Sequence, residues 1–243
     1  KGEVVELTPP HDVLGQVIGQ YLPKTEALRE MMKKSYDILS NHPINVERMK
    51  KGLNPANSIW FWGAGTRPAL APFVEKTGHT GAMISAVDLL KGIAVGADMK
   101  VVEVEGANGG LDTNYEGKAD AAVEALLKDD LDFAYIHLEA PDEMGHQGSF
   151  ERKVQAIENL DKRIIKRVTE QLEAAGTDFR MLVLPDHPTP VAIRTHVSDP
   201  VPYMLYDSTN KQSHTWNYNE KEAQESGNYI DKGYTIINHL FEK

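Results

Sequence analysis

Two patterns of hydrophobic and polar positions alternate along the chain from about Thr80 onward. Short apolar runs are typical of buried strands, whereas apolar residues that recur every three or four positions are typical of helices with one buried face. The strand-like runs are GAMISA, MKVVEVEG, FAYIHL, RMLVL and VPYMLY, and the helical patterns cover residues 87–95, 113–127, 149–176 and 228–241. This alternation predicts an α/β domain in which helices flank a sheet of parallel strands.

Local signals place several helix ends. The tetrapeptide TNYE, from Thr113 to Glu116, predicts a capping box in which the Thr and Glu side chains satisfy free backbone donors. Ser149 is predicted to cap the longest helix, and Gly176 is predicted to end it.

The part of the chain before the strand-rich region has a different pattern. Residues 25–40 carry apolar side chains at helical spacing, including Met31 and Met32, and Pro43 follows the pattern and is predicted to end it. The two methionines are therefore expected in the core. The next stretch, SIWFWGAGTRPALAPF, predicts a strand that runs into a tight loop rich in Gly and Pro.

Composition limits the class of protein. The 243 residues, 41% of them hydrophobic, suffice for one large domain or for a core with a smaller lobe. The absence of cysteine excludes disulfide frameworks, iron–sulfur clusters and thiol catalysis, so any metal must be held by oxygen and imidazole nitrogen. The net charge of −10 argues against nonspecific nucleic-acid binding.

The sequence also contains no apolar run long enough to cross a bilayer, and its opening, KGEVVELTPP, lacks the apolar centre of a signal peptide. We therefore expect a soluble, cytoplasmic protein without a membrane partner. No pattern in the sequence predicts its oligomeric state.

Chemistry-bearing side chains follow two of the predicted strands. Asp142 and His146 come after FAYIHL, Asp186 and His187 come after RMLVL, and His196 precedes VPYMLY. Ligands of open α/β sheets collect beyond the carboxyl ends of the strands, so these side chains are candidates for one site.

The spacing of these residues favours metal binding. Asp142 and His146 are four positions apart and can face one point from a single helical turn or from a tight loop. Asp186 and His187 are adjacent, so they can reach one ion only if the chain turns there. With His196 the set holds three imidazoles and two carboxylates, which suits Zn²⁺ or Mn²⁺ and is too many ligands for one tetrahedral ion. Two metal ions are therefore inferred.

Each pair also has a structural interpretation. A lone Asp-x-x-x-His pair is more often a surface or capping arrangement, and a lone Asp-His dipeptide usually has no special role. The metal interpretation is favoured because both pairs follow strands assigned to the same sheet, with a third histidine nearby. His137 is expected to be a structural residue of its strand, and Glu139 fits either role.

Several longer motifs carry a family resemblance: PDEMGHQG, LPDHPTPVAIRTHVSDPVPYMLYD, WFWGAGTRPALAPF and GAMISAVDLLKGIAVGADM, with the opening LTPPHDVLGQVIGQYLP. With these motifs in this order, nearly all of the chain resembles the cofactor-independent phosphoglycerate mutase family of archaeal type, within the alkaline phosphatase superfamily. Some bacterial members of that group are proposed homoserine kinases.

The resemblance implies a role for each candidate residue. Asp142, His146 and His196 match the ligands of one divalent ion, and Asp186 and His187 match ligands of a second. Mn²⁺ or Zn²⁺ is expected, with Mg²⁺ or Co²⁺ as alternatives.

The resemblance also implies substrate contacts and domains. Arg67 matches an arginine that binds substrate phosphate or carboxylate, and Lys91 is the second cation expected near the phosphate. Their structural alternatives are an arginine stacked on Trp60 or Trp62 and a solvated helix lysine. Residues 1–78 are expected to be the C-terminal part of an inserted cap domain, and residues 79–243 the C-terminal part of an alkaline-phosphatase-like metal-binding domain.

The implied reaction interconverts 3-phosphoglycerate and 2-phosphoglycerate through a phosphoenzyme. In the family, an N-terminal Asp and a Ser or Thr nucleophile complete the second metal site, and no matching residues occur near Lys1. The chain therefore resembles the C-terminal part of a longer protein, and we expect no catalysis by this chain alone.

Two rival functions stay open at this point. A homoserine kinase or another phosphotransferase or phosphatase would keep the fold and metals but change the phosphoryl acceptor. A dinucleotide-binding or interaction module is the alternative without catalysis, suggested by the GAG that follows SIWFW, with Asp88 downstream. That signal is weak because Pro68 occupies the third glycine position.

Overall fold

The computed structural model describes residues 5–13, 15–211 and 215–242, without the side chains of residues 11 and 12. The chain divides into two units, Lys1–Pro68 and Ala69–Lys243. No helix in these described ranges is both long enough and apolar enough to span a membrane.

Two helices form the framework of the first unit. They are α1 (Glu26–Ser40) and α2 (Pro43–Lys50), and short 3-10 turns at Pro10–Val13 and Ile18–Tyr21 precede them. The prediction for α1 is confirmed, with Met32 buried, but Met31 is half exposed, so only one methionine lies in the core. Pro43 begins α2 directly after α1, because proline at the first helical position lacks an N–H that would have no partner there.

The strand predicted at SIWFW does not form. Residues 53–72 carry neither helix nor strand. Side chains of the two helices bind the backbone of this segment instead. The buried Asn45 amide donates to Ala56 O at 2.9 Å and its oxygen accepts from Ala56 N at 2.8 Å, while Ile59 N donates to Ser35 Oγ at 3.0 Å.

The second unit has alternating strands and helices. Its elements are α3 (Phe73–Thr77), β1 (Gly81–Ile84), α4 (Asp88–Gly96), β2 (Lys100–Val102), α5 (Tyr115–Leu127), β3 (Phe133–Ile136), α6 (Ala140–His146), α7 (Phe150–Asn159), a π-helical segment (Leu160–Ile165), α8 (Lys166–Ala174), β4 (Arg180–Val183), β5 (Met204–Asp207), α9 (Glu220–Glu225), a 3-10 turn (Gly233–Thr235) and α10 (Ile236–Phe241). The α/β fold class is thus confirmed.

The strands form two sheets where one was expected. In the first, β1 lies between β2 and β3 and pairs in parallel with both, and every residue of β1 is buried. In the second, β4 and β5 pair antiparallel, with Arg180 opposite Asp207. The loop that joins β4 to β5 contains no crossover helix, and a parallel pair needs such a crossover. The prediction of a single parallel sheet was therefore wrong for these two strands.

Helix α5 provides the core that both sheets share. On one side Ala122 and Ala125 pack against Ala82 and Ile84 of β1. A second cluster joins α5 to the helical segment after residue 160 and is flanked by side chains from the ends of both sheets; its members are Tyr115, Ala119, Val123, Ile164, Val168 and Leu172, with Ile136, Leu138, Phe179 and Met181 beside them. The carboxyl end of β3 and the amino end of β4 are thereby held against the same helices.

The start of α5 differs from the predicted capping box. Asn114, not Thr113, is the N-cap residue, and its side-chain oxygen accepts from Gly117 N at 2.9 Å. The Thr113 hydroxyl is used elsewhere, accepting from Asn108 N at 3.0 Å. Glu116, the other half of the predicted box, pairs with an arginine.

Two bidentate ion pairs fix α5 to the π-helical segment and α8. Arg163 donates to Glu116 at 2.6 and 2.7 Å, and Arg167 donates to Asp120 at 2.7 and 2.8 Å. The two ion pairs form side by side because the two carboxylates on α5 are four positions apart and the two arginines on the facing helical segment have the same spacing. Hydrogen bonds from the arginines hold the pKa values of Glu116 and Asp120 below their ordinary values of 4.5 and 3.8.

These depressed pKa values predict a loss of stability in acid. A carboxyl group whose pKa is lower in the folded state contributes stability above its unfolded pKa and loses it as the pH falls through the folded pKa. Replacing Glu116 by Gln should therefore lower the free energy of unfolding at pH 7, by no more than about 1 kcal/mol because the pair is half exposed. Urea titrations should show this difference shrinking below about pH 4.

Glu124→Gln on the same helix is the matched control. Its partner Lys128 lies one turn away at 2.6 Å and both side chains are largely exposed, so the expected loss is smaller than that of Glu116→Gln. A Glu116→Gln effect that is the same at every pH would contradict the assigned role of the ion pair.

Candidate metal centre

The first two candidate ligands lie on the short helix that follows β3. His137 N donates to Ile84 O at 2.9 Å, which extends the pairing of β3 by one residue before α6 begins at Ala140. Asp142 lies in the first turn of α6 and His146 ends it, so their four-residue spacing brings both side chains to one face. The four-residue spacing of Asp142 and His146 is therefore spanned by a helical turn.

The loop after β4 returns the third ligand to the same place. The chain bends at Asp186 and His187, as the sequence argument required. Arg194 has a left-handed backbone, with φ of 60°, and Val197 N donates to Pro188 O at 3.1 Å. This closed loop places the His196 ring against the His187 ring, with ring centroids 3.7 Å apart and the ring planes tilted by 35°.

Asp142, His146 and His196 converge, and we call them the triad. Their ligand atoms all lie within 4.8 Å of one another. The two Nε2 atoms are 3.1 Å apart, and each lies 3.3 Å from an oxygen of the Asp142 carboxylate. Ligand atoms about 2.1 Å from one tetrahedral ion are about 3.4 Å apart, so the spacing of the triad fits a single divalent cation.

The hydrogen bond of His146 prepares it to bind a metal. Its Nδ1 lies 3.0 Å from the carbonyl oxygen of Arg194, which can only accept, so Nδ1 carries the proton. In the neutral imidazole Nε2 is then unprotonated and directed at the other two members of the triad. Such a backbone partner is the usual way in which a metal-binding imidazole is oriented.

Asp186 and His187 form a second arrangement, called here the Asp-His pair. Oδ2 of Asp186 lies 3.5 Å from Nε2 of His187, and Oδ1 accepts from the His187 backbone N–H at 3.0 Å. The bend thus directs one ligand atom of each residue toward a common point. The pair adjoins the triad through the contact between the His187 and His196 rings, so the structure brings all five predicted ligands into one region.

Thr189 is a site residue that sequence reasoning missed. It is 3% exposed, and its hydroxyl hydrogen-bonds Asp142 of the triad and lies 3.3 Å from Nδ1 of His187. A threonine between two prolines in a loop carries no sequence signal for such a role. Only its burial between the two arrangements identifies it.

Two glycines allow the loop to approach α6 and the turn after it. A Cβ at Gly145 would lie 2.4 Å from Thr189 O, and a Cβ at Gly148 would lie 2.3 Å from Nε of Arg194. Gly148 also has a left-handed φ of 68°, which favours glycine. The close approach of loop and helix therefore depends on the absence of a side chain at Gly145, where the opposing atom is a backbone oxygen, whereas Gly148 leaves room for the Arg194 side chain.

Buried ionisable groups lie beside the triad. Lys118 is 1% exposed and its Nζ donates to His137 O at 3.1 Å. Burial lowers the pKa of the Lys118 amine, although the negative charge of Glu139 acts to raise it. Burial also lowers the pKa of His137. The pKa of Glu139 is raised by burial and by the charges of Glu143 and Asp142. This edge of the sheet therefore combines buried amine and imidazole groups with concentrated negative charge.

The two predicted substrate-binding cations are not part of the triad. Lys91 follows β1 on α4 and its Nζ pairs with Glu103 at 2.7 Å, with 21% of the Lys91 side chain exposed. Arg67 lies on an exposed stretch of the first unit, and no hydrogen bond or ion pair holds its guanidinium among the residues described. The solvated-lysine alternative thus does not describe Lys91, which is mostly covered.

The dinucleotide-binding alternative is not supported by the local structure. That fingerprint requires a strand before the glycines and a helix directly after them. Within the described structure, the segment around Gly63 and Gly65 has neither a strand before it nor a helix that starts at Pro68.

Comparisons with known proteins identify the family. The family model of the metalloenzyme superfamily matches residues 21–242. The chain is 48% identical over 229 residues to the 2,3-bisphosphoglycerate-independent phosphoglycerate mutase of Methanosarcina barkeri, covering 93% of this chain and 57% of that protein. It is 44% identical to the probable enzyme of that name from Geobacter sulfurreducens, over 98% of this chain and 60% of that protein.

Solved structures give the same result. The PH0037 protein from Pyrococcus horikoshii matches with a TM-score of 0.68 and 33% identity, over 82% of this chain and 51% of that one. The cofactor-independent phosphoglycerate mutase from Thermoplasma acidophilum matches with a TM-score of 0.51 and 26% identity, over 89% of this chain and 51% of that one. The resemblance inferred from the motifs is confirmed, and the chain spans between half and about three-fifths of the length of these relatives.

Proposed function

Because the chain belongs to the metalloenzyme superfamily, we propose that it supplies the metal-binding part of a cofactor-independent phosphoglycerate mutase. The reaction would interconvert 3-phosphoglycerate and 2-phosphoglycerate through a phosphoenzyme. The observation that carries the proposal is the convergence of the triad and the Asp-His pair at one edge of the fold. The proposed activity is that of a protein of the relatives' length, called the full-length protein below.

In this proposal the triad holds one divalent ion and the Asp-His pair contributes to a second, with Mn²⁺ or Zn²⁺ as the ions expected. When bound, such ions stabilise charge on phosphoryl oxygens and lower the pKa of a hydroxyl nucleophile. The residues of this chain contribute orientation. Arg194 O fixes the proton of His146 on Nδ1, and the backbone N–H of His187 holds the Asp186 carboxylate.

Substrate binding is assigned to two cations. Arg67, exposed and free of protein partners among the described residues, presents a planar guanidinium suited to bidentate binding of phosphate or carboxylate. Lys91 would share its ammonium group between the substrate and Glu103, its present partner at 2.7 Å. Both would offset substrate charge and hold it for phosphoryl transfer.

The domain assignment follows from the same proposal. Residues 1–78 would belong to the cap domain and residues 79–243 to the metal-binding domain. The full-length protein would act in the cytoplasm on a small phosphorylated substrate, with no nucleic-acid partner.

An assay of the full-length protein with two substrates tests this function. With Mn²⁺ present, 3-phosphoglycerate should be converted to 2-phosphoglycerate, followed by ³¹P NMR, and ATP with homoserine should yield no phosphohomoserine. Phosphohomoserine formation without 2-phosphoglycerate would instead identify the kinase, because fold and metal ligands do not set the phosphoryl acceptor.

A further inference from the structure

The hydroxyl of Thr189 lies between the two sets of candidate ligands. It hydrogen-bonds Oδ1 of Asp142 in the triad and lies 3.3 Å from Nδ1 of His187 in the Asp-His pair. The side chain is 3% exposed, so water does not compete for either bond. A buried hydroxyl in this position connects the two arrangements directly.

The chemistry of the three groups sets the direction of both hydrogen bonds. An ionised carboxylate can only accept, so the single Thr189 proton is donated to Asp142. The hydroxyl oxygen is then left as an acceptor, and Nδ1 of His187 must carry a proton to bond it. The neutral imidazole of His187 therefore has an unprotonated Nε2, which is the atom 3.5 Å from Oδ2 of Asp186.

The rest of the protein holds Thr189 in this position from two sides. Lys153 Nζ donates to Thr189 O at 2.6 Å, which fixes the backbone. Gly145 lies against the methyl group, since a Cβ at position 145 would come within 3.0 Å of Thr189 Cγ2. The hydroxyl is thereby directed at the ligands by contacts that do not involve the ligands themselves.

We propose that Thr189 is a positioning residue that couples the two metal sites, by orienting Asp142 and by fixing His187 in the tautomer that can bind a cation. This inference rests on the proposed function, because it requires that both ligand sets bind metal. It assigns Thr189 no contact with substrate or ion. Its effect acts through His187 and Asp142.

Two substitutions separate the hydroxyl from the methyl group. Thr189→Val keeps the shape and the contact with Gly145 but removes the hydroxyl, and Thr189→Ser keeps the hydroxyl but removes the methyl. Calorimetric titration of the metal-free, full-length protein with Mn²⁺ should show two equivalents in the wild type. Loss of an outer-shell partner typically lowers metal affinity about 10–100-fold. We therefore expect that loss at both sites in Thr189→Val, and near-wild-type affinity in Thr189→Ser.

A spectroscopic measurement tests the tautomer without metal or activity. In ¹H–¹⁵N spectra of the metal-free wild type at about pH 8.5, where an ordinary imidazole is neutral, His187 should be protonated at Nδ1. That signature should persist in Thr189→Ser and be lost in Thr189→Val. A wild-type His187 protonated at Nε2 would overturn the inference even if the valine variant failed to fold.

The outcomes distinguish the inference from the function on which it rests. If the wild type binds no Mn²⁺ at the triad and none at the Asp-His pair, the proposed metal centre is refuted and the inference with it. Two equivalents in the wild type with unchanged affinity in Thr189→Val would refute the coupling role alone. Equal losses in the valine and serine variants would show that packing, and not the hydroxyl, is responsible.

Discussion

Replacing His146 by alanine is expected to abolish metal binding at the triad and, in the full-length protein, to lower turnover by more than about 100-fold. The loss should exceed the roughly 10–100-fold effect of removing an outer-shell partner, because His146 would be a direct ligand. Its Nε2 lies 3.3 Å from Asp142 and 3.1 Å from Nε2 of His196, so two ligands alone would remain. Metal content after purification and turnover of 3-phosphoglycerate measure the two effects.

His239→Ala is the matched control for this substitution. His239 is an exposed helix histidine whose Nδ1 lies 3.0 Å from Glu242, and it has no place in the proposed site. Its replacement should leave metal content and turnover at wild-type levels. Full activity and full metal content in His146→Ala would contradict the assignment of the triad.

The second large effect is expected from Gly145→Ala, one of the smallest changes possible in a helix. An alanine Cβ would lie 2.4 Å from Thr189 O and 3.0 Å from Lys153 Nζ, so the loop would have to move away. The higher helix propensity of alanine contributes up to about 1 kcal/mol, whereas overpacking costs about 1–3 kcal/mol. A clash with a rigid backbone carbonyl belongs at the upper end of that range, so we expect a net loss of about 2 kcal/mol in the free energy of unfolding.

Displacement of the loop should also weaken metal binding, because the same loop carries His196 and the Asp-His pair. Gly92→Ala provides the control, since Gly92 is an exposed helical glycine of α4 with no atom within 4 Å of a built Cβ. It should stabilise the protein by about 0.5–1 kcal/mol. Chemical unfolding and Mn²⁺ titration of both variants make the comparison. Equal effects of the two substitutions would contradict the close contact between α6 and the loop.

Structural features that depend on residues close together in the chain could be predicted from the sequence. Helical spacing identified α1, α4 and the long helix after Ser149, and apolar runs identified the five strands found among the described residues. Asp142 and His146 need only one helical turn to face the same point. Asp186 and His187 need only a bend between them to reach the same ion. These features depend on neighbours in the chain, whose side chains and backbone preferences are visible in a short window.

Features that depend on distant contacts could not be predicted in this way. The pairing of β4 with β5 depends on where a loop without a helix returns the chain. The conformation of the segment near Ala56 depends on two hydrogen bonds with the side chain of Asn45, eleven positions away. Burial of Thr189 and Lys118 depends on the packing of α6 and β3 around them, and neither residue type indicates burial.

Solvent exposure on α7 was also not predicted. Phe150 and Ile157 lie on the apolar stripe of the long helix, yet their exposed fractions are 70% and 52%. Periodicity identifies which residues share a helix face, but not whether another element covers that face.

Anomalous diffraction from crystals soaked in Mn²⁺ is the most direct test of the central claim that distant imidazoles and carboxylates form a metal centre. We expect a peak bounded by the ligand atoms of Asp142, His146 and His196, and a second, weaker peak at Asp186 and His187. A fully soaked crystal without a peak at the triad, or with manganese only on other acidic surfaces, would contradict it.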